Sequence, residues 1–282
     1  MDEGEGQALE QRWAGSSGDG LAAAGGIKAA MSSYDRVAAG YDDHLGGMRR
    51  GRAWAAKVAP HLVPGGLVAD LGTGTGTLAA ALAEEGWPVV GLDYSHEMLK
   101  RARARIPRVV QADVARLPLR SGSCANLLAT CVVDVVDSPE ALLAEAARVL
   151  RPGGRMVVIS SIVRRPSDPV GRIRFDLQTA LRGGPPPDRP DVLREIAARA
   201  GLVLDGVAGS LERRTAYVPN DIADRIERRQ MHIHLLCRAD AAAWRNVVAP
   251  AVQALRDLPH PDRPHPQHQT CEVIVLRRPA AS

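Results

Sequence analysis

Short apolar runs alternate along this chain with stretches of helical period. Leu67–Leu71, Val89–Asp93, Ile106–Gln111, Ala125–Val133, Met156–Ser160, Leu202–Val207 and Cys271–Leu276 are mostly apolar and bounded by turn residues. They read as buried strands. Between them, Leu78–Ala83, Ser95–Leu99, Pro139–Leu150 and Val192–Gly201 read as helices, and Arg50–Leu62 as one more before the first strand. Ala and Leu, which fill these stretches, favour that state. Pro64-Gly65-Gly66, Gly86 and Pro152-Gly153-Gly154 mark the breaks. Strands alternating with helices predict a parallel sheet with helices on both faces, an α/β fold.

Three stretches depart from this pattern. Residues 1–30 are rich in Gly, Ala and Ser and are expected to be disordered. Arg164–Asp191 is rich in Arg and ends in Gly183-Gly184-Pro185-Pro186-Pro187, which reads as a stiff linker. Residues 211–269 form an insertion before the last strand, with helices expected near Pro219–Arg229 and Ala239–Leu258. Long insertions between core elements are often functional, so this one is expected to be a substrate cap. The division is then a tail over 1–30, a core domain over 31–210, a helical cap over 211–269 and a final strand over 270–282.

Composition narrows the class. The 282 residues suit one large α/β domain with additions. Aromatics are only 3% against 45% apolar residues overall, so the core must be built from Ala, Val and Leu. The net charge of +4 is mild, and no basic block with interleaved aromatics appears, which disfavours a nucleic-acid partner. Cys124, Cys131, Cys237 and Cys271 are far apart with no C-x-x-C, as expected of reduced thiols in a cytoplasmic protein. The opening Met-Asp-Glu-Gly-Glu is unlike a signal peptide, and no long apolar run predicts a membrane span.

The candidate chemistry sits in Asp70-Leu71-Gly72-Thr73-Gly74-Thr75-Gly76. A strand, three alternating glycines and a helix start make a nucleotide cradle. Thr77 occupies the sixth position from Gly72, so the dinucleotide pattern G-x-G-x-x-G fails, and no Lys is present for a phosphate loop. An acid beside the turn suits a ligand carrying an amine or hydroxyls. Asp93 ends the second strand about 20 residues later, where a carboxylate can accept from both hydroxyls of a ribose. Ser95 is the better cap for the helix that follows, which leaves Asp93 free for that role.

These residues resemble the first motif of the class I S-adenosylmethionine-dependent methyltransferases. Tyr34-Asp35-Arg36-Val37-Ala38-Ala39-Gly40-Tyr41-Asp42 is similar to the Y-D-x-x-A-x-x-Y-D lead-in of small-molecule members such as the ubiquinone and menaquinone biosynthesis group. Arg148-Val149-Leu150-Arg151-Pro152-Gly153-Gly154 is similar to their R-V-L-x-P-G-G turn. The resemblance covers about Tyr34 to Val207 and the last strand. It implies a Rossmann-like seven-stranded sheet, antiparallel only at its final strand, and S-adenosyl-L-methionine as cofactor. It places Tyr34 and Tyr41 over the cofactor, and Asp70, Gly72, Thr73, Gly74 and Gly76 at the turn. Asp93 falls at the ribose hydroxyls, Asp113 beside the adenine amine, and Thr130 and Cys131 at the strand end that faces the sulfonium; Tyr94, Met98 and Val114 complete the cofactor-binding set. Read from residues alone, the two tyrosines could simply anchor a helix, Asp113 could close an Asx-turn and Cys131 could be a small core hydrophobe.

The reaction implied is methyl transfer to a small-molecule acceptor, a hydroxyl or a carboxylate. Val132-Val133 stands where many small-molecule members carry paired histidines. The remaining candidate bases are His44, His232 and His234. Arg213, Arg228 and Arg229 could hold a carboxylate, which needs no base; their plainer reading is a solvated helix face. His232-x-His234 lacks a third metal ligand, so no metal is assigned. A non-catalytic S-adenosylmethionine-binding protein is the alternative, or a methyltransferase acting on a peptide or nucleic acid. An amino-methyltransferase of nucleic acid would need N/D-P-P-Y/F where this chain has Thr130-Cys131-Val132-Val133.

Overall fold

In the computed structural model, residues 34–161, 164–230 and 233–280 are described, with the backbone alone at 44, 213, 214 and 233. The expectation of a disordered tail over 1–30 lies outside the described residues. Seven strands form one sheet: β1 Val68–Leu71, β2 Val89–Asp93, β3 Val109–Gln111, β4 Cys124–Thr130, β5 Leu150–Ile159, β6 Val203–Tyr217 and β7 His265–Arg277. Their order is β3-β2-β1-β4-β5-β7-β6. The first five run parallel to their neighbours, whereas β7 is antiparallel to both β5 and β6. The order reverses between β1 and β4, which opens a crevice beyond their C-terminal ends.

Helices α1 Tyr34–Val37, α2 Tyr41–Leu45 and α3 Gly47–Val58 precede the sheet. Crossovers follow as α4 Thr77–Glu84, α5 His96–Arg103 and α6 Pro139–Val149, then α7 Pro169–Arg182 and α8 Pro190–Arg199 between β5 and β6. Between β6 and β7 lie α9 Pro219–Glu227, α10 Ile233–Leu236, α11 Ala241–Ala243, a π-helical turn Trp244–Val248 and α12 Ala249–Arg256.

Every residue of β1 and β2 is buried, because helices cover both faces. On one face Leu71, Leu127, Met156, Val158 and Ile274 pack with Leu142 and Leu143 of α6 and Leu193 of α8. On the other, Val68, Leu128 and Val157 pack with Ala55 and Val58 of α3 and Leu78 and Leu82 of α4. Side-chain caps set the helix starts: Ser95 accepts from the Met98 N–H, Ser138 from Ala141 and Asp168 from Gly171.

The structure corrects two expectations. The Arg-rich stretch before the expected linker, for which the sequence predicts no element, contains α7. Val170, Ile173, Leu177 and Leu181 recur there at helical spacing and join Ile222, Ile226 and Leu255 in a third core. The last two strands are also much longer than their apolar runs. They pair from Val203↔Arg277 to Tyr217↔His265, whereas the pairing of β7 with β5 stops at Ile159↔Val273. The outer half is therefore a two-stranded ribbon that carries the inserted helices. The insertion occupies 218–264 and shares its core with α7, so this helical layer is built from both sides of β6. No helix among the described residues is long and apolar enough to cross a membrane.

Candidate active site

The turn after β1 is held in the left-handed region, with φ of +69° at Gly72, +57° at Gly74 and +78° at Gly76. Glycine populates that region without a Cβ clash. The Gly72 and Thr73 N–H groups donate to the Leu92 carbonyl at 2.8 and 2.9 Å, which fastens the turn to β2. A Cβ on Gly72 would lie 2.7 Å from Val132 Cγ2, while one on Gly74 would meet nothing within 4 Å. Gly74 therefore faces open space and can let a ligand approach the main chain.

Asp93 spans this turn. Its Oδ2 accepts from the Gly74 N–H at 2.7 Å and its Oδ1 from the Ser95 N–H at 2.8 Å. Each oxygen keeps a second lone pair, so two ribose hydroxyls could still be accepted. Burial pushes the Asp93 carboxyl up, and the amide bonds from Ser95 and Gly74 oppose that shift. Asp70 is more isolated. Its Oδ2 accepts from Thr73 Oγ1 at 2.7 Å, and its buried Oδ1 has no partner. Burial raises its pKa to about 7. An orphaned buried polar atom costs about 1–3 kcal/mol, so this oxygen favours a ligand that brings a donor.

The lead-in segment is clasped onto these elements by its acids. Asp42 accepts from Thr75 Oγ1 at 2.6 Å and from Arg105 Nη2 at 2.6 Å. Asp35 accepts from Ser95 Oγ at 2.5 Å and from the Glu97 N–H at 3.1 Å. Tyr34 and Tyr41 are half-buried. Tyr34 lies within electrostatic reach of Asp93, Asp134 and Cys131, and burial pushes both phenols up. Sequence reasoning singled out the tyrosines and missed the two aspartates. The signal was an acid directly after each tyrosine.

Cys131, just past β4, has a φ of +52°. Its N–H donates to the Ile159 carbonyl at 2.8 Å and its thiol to the Ser160 carbonyl at 3.6 Å. The neighbouring Cys271 thiol and burial hold it well above the usual thiol range, so it stays protonated. Val132 and Val133 turn into the core. Beyond them lies a buried polar cluster that the sequence pattern did not flag. Arg182 Nη2 donates to Asp134 Oδ1 at 2.5 Å; the Asp134 side chain is buried and that of Arg182 half-buried. Around this pair stand Asp188, at 0% exposure, and His234, at 6%.

The other expected residues fall as follows. Met98 and Val114 are buried, and Tyr94 is half-buried with its carbonyl accepting from Gln111 Nε2. Asp113 Oδ1 accepts from the Ala115 N–H at 2.9 Å, an Asx-turn. The Thr130 hydroxyl is buried without a partner. Arg228 and Arg229 are exposed; Arg228 lines a surface groove with Asp221, Asp224 and Arg225, and the Arg229 guanidinium stacks 5.1 Å from Trp244. His232 lies outside the described residues, and for His44 and Arg213 only the backbone is described. No group of three metal-ligating side chains is found among the described residues.

A family model described as a methyltransferase domain matches residues 69–158, which run from β1 to the last turn of the β5 hydrogen-bond ladder. A demethylmenaquinone methyltransferase from Renibacterium salmoninarum is 36% identical over 131 residues, covering 44% of this chain and 55% of that protein. A phosphatidylethanolamine N-methyltransferase from Cereibacter sphaeroides is 34% identical over 147 residues, covering 49% of this chain and 70% of that protein. The chain thus spans little more than half the length of the first of these relatives. The structure is similar in fold to a SAM-dependent methyltransferase from Thermotoga maritima, with a TM-score of 0.53 at 18% identity, over 88% of this chain and 99% of that one.

Proposed function

Because this chain belongs to the class I S-adenosylmethionine-dependent methyltransferases, we propose that it transfers a methyl group from S-adenosyl-L-methionine to a small-molecule acceptor. The observation that carries this reading is the Asp93 carboxylate bridging Gly74 and Ser95 beside an open glycine turn. The donor set suits the cofactor. Asp93 would accept from the ribose hydroxyls, and the main chain at Gly74 would lie against the amino-acid portion. The orphaned Asp70 Oδ1 would accept from its ammonium group. Val114 and Met98 would give the adenine an apolar slot, and Asp113 would stand beside its amine.

When bound, the cofactor supplies a methyl group already activated on a sulfonium. The protein's own task is then to align the acceptor with that methyl and to exclude water, which is the proximity contribution. Tyr34 and Tyr41, clasped down through Asp35 and Asp42, would close the crevice over the cofactor. The helices over 218–264 together with α7 would wall the acceptor side. The two relatives are named for different acceptors, a demethylmenaquinone and a phosphatidylethanolamine, so likeness supports the cofactor half of the site and not a particular acceptor.

Isothermal titration with S-adenosylhomocysteine tests the reading. Tight binding is expected for the wild type and its loss for Asp93→Ala. Absence of binding heat on well-folded protein would overturn the proposal. Binding without transfer to any acceptor would favour the non-catalytic alternative.

A further inference from the structure

The buried polar cluster beyond β4 has hydrogen-bonding capacity that the fold does not use. Asp188 Oδ2 accepts from the Ser161 N–H at 2.6 Å, but its buried Oδ1 has no partner among the described residues. Neither ring nitrogen of His234 has a hydrogen-bond partner among them. Its nearest carboxylate atom is Asp134 Oδ2, at 3.8 Å from Nε2. Both residues face the same Asp134–Arg182 ion pair. The Asp134 carboxylate already neutralises the Arg182 charge through the Nη2–Oδ1 bond. Buried polar groups in native proteins nearly always have partners, and those that lack one call for an explanation.

The location is informative. Asp134 follows β4 and Ser161 follows β5, at the C-terminal edge of the sheet where ligands of this topology bind. Cys131 feels the charge of Asp188, and Tyr34 feels both Asp134 and Asp93. The cluster therefore adjoins the cofactor crevice on its acceptor side.

We propose that Asp188 and His234 form the acceptor pocket, and that it takes a substrate presenting an O–H or N–H group rather than a carboxylate. This rests on the methyl-transfer reading above. A hydroxyl or amine can donate to the orphaned Asp188 oxygen while the imidazole takes a second polar contact. A carboxylate acceptor would meet another carboxyl group and an arginine already engaged. Burial holds the Asp188 carboxyl up at about 7 and the His234 imidazole down at about 4. At neutral pH the imidazole is thus uncharged and offers an anion no counter-ion, while Asp188 is poised to exchange a proton.

In the transfer, a lone pair on the acceptor oxygen or nitrogen forms the bond to the methyl carbon. The carbon–sulfur bond breaks and its electron pair stays on sulfur, which becomes a neutral thioether. The proton from oxygen or nitrogen passes to Asp188 Oδ1 and later to solvent. Of the two acceptors that the sequence left open, a hydroxyl or a carboxylate held by arginines, this pocket suits the hydroxyl.

The test incubates the full chain with methyl-tritiated S-adenosylmethionine and the small-molecule fraction of a cell extract, then treats the product with mild alkali. Methyl esters release volatile labelled methanol, whereas ethers and methylamines keep the label. The expected result is a base-stable label. Asp188→Asn should lower the transfer rate about 10²-fold, the lower end of what a general base contributes. His234→Gln should lower it as well, and both variants should bind S-adenosylhomocysteine as the wild type does. Asn at 188 keeps an oxygen for the Ser161 amide, so the fold has no reason to fail. Label released as methanol, or full transfer by both variants, would overturn the proposal. No binding heat would instead sink the cofactor reading, and binding heat with no labelled product would sink methyl transfer and this pocket with it.

Discussion

The Thr75 hydroxyl donates to Asp42 Oδ1 at 2.6 Å, which bonds the lead-in segment directly to the glycine turn. Arg105 completes a triangle, donating to Asp42 Oδ2 and to the Thr75 carbonyl, each at 2.6 Å. In α1 no residue is buried, so little apolar burial secures this end of the chain. The lead-in is therefore held over the crevice mainly by polar contacts. Asp42→Ala should cost about 1.5–3 kcal/mol, the range for hydrogen bonds to a charged group. It should also speed amide hydrogen exchange over residues 34–45 and weaken S-adenosylhomocysteine binding. Exchange rates there that match the wild type would show that the clasp does not hold the segment.

Asp93 makes a separable prediction because it holds the turn and, in the proposed reading, would also hold the ligand. In Asp93→Ala the amides of Gly74 and Ser95 both lose their acceptor. At about 1–3 kcal/mol for each buried donor left unpaired, urea unfolding should show a substantial loss of stability as well as lost cofactor binding. Asp93→Asn keeps one acceptor oxygen and should fall between the two proteins in both measurements. An Ala variant as stable as the wild type would mean that water replaces the carboxylate and that its role in the fold is small.

How much of this was legible depended on where the physics was local. The strands β1, β2 and β4 are buried on both faces, so they stand out as apolar runs. The glycine turn needs positive φ at three alternate positions, and only glycine supplies that cheaply. The ribbon was not legible. Glu212, Arg213 and Arg214 continue β6 beyond the sheet, and Gln267 and Gln269 bury polar side chains in β7, so no apolar run marks the outer half of either strand. Helix α7 hid its four apolar positions among arginines. The acceptor-side cluster joins Asp134, Arg182, Asp188 and His234 from four separate segments. No local pattern brings these together; of the four, the sequence singles out only His234, as a candidate base and for its spacing from His232.

Gly72 and Val132 test how tightly the turn is packed against the β4 exit. A Cβ at Gly72 would sit 2.7 Å from Val132 Cγ2, at a φ of +69°. Gly72→Ala therefore incurs two penalties, overpacking and a left-handed Ala, each on the order of 1–3 kcal/mol. Gly72→Ala combined with Val132→Ala should recover the steric part and keep the backbone part. A double-mutant cycle by urea unfolding measures the difference. Additive effects would show that the two side chains do not compete for the same space.

The buried Asp70 carboxyl links cofactor affinity to pH. Its pKa stands at about 7 in the folded protein, raised by burial and by Asp93 and partly offset by the Thr73 hydroxyl. The folded state thus binds a proton that the unfolded chain has lost between the ordinary carboxylate range and about pH 7. The sign follows from proton counting: this contribution to stability is present at low pH and lost as pH rises through about 7. A cationic amino group placed against Oδ1 reverses the preference, because it favours the ionised form. S-adenosylhomocysteine binding should then release protons near and below pH 7, and its affinity should rise as pH approaches about 7 and level off above it. Calorimetry in two buffers of different ionisation enthalpy counts those protons. Asp70→Asn should flatten that part of the pH dependence while Asp93 remains in place. A wild-type affinity independent of pH, or an unchanged slope in the Asn variant, would place the ammonium somewhere other than Asp70.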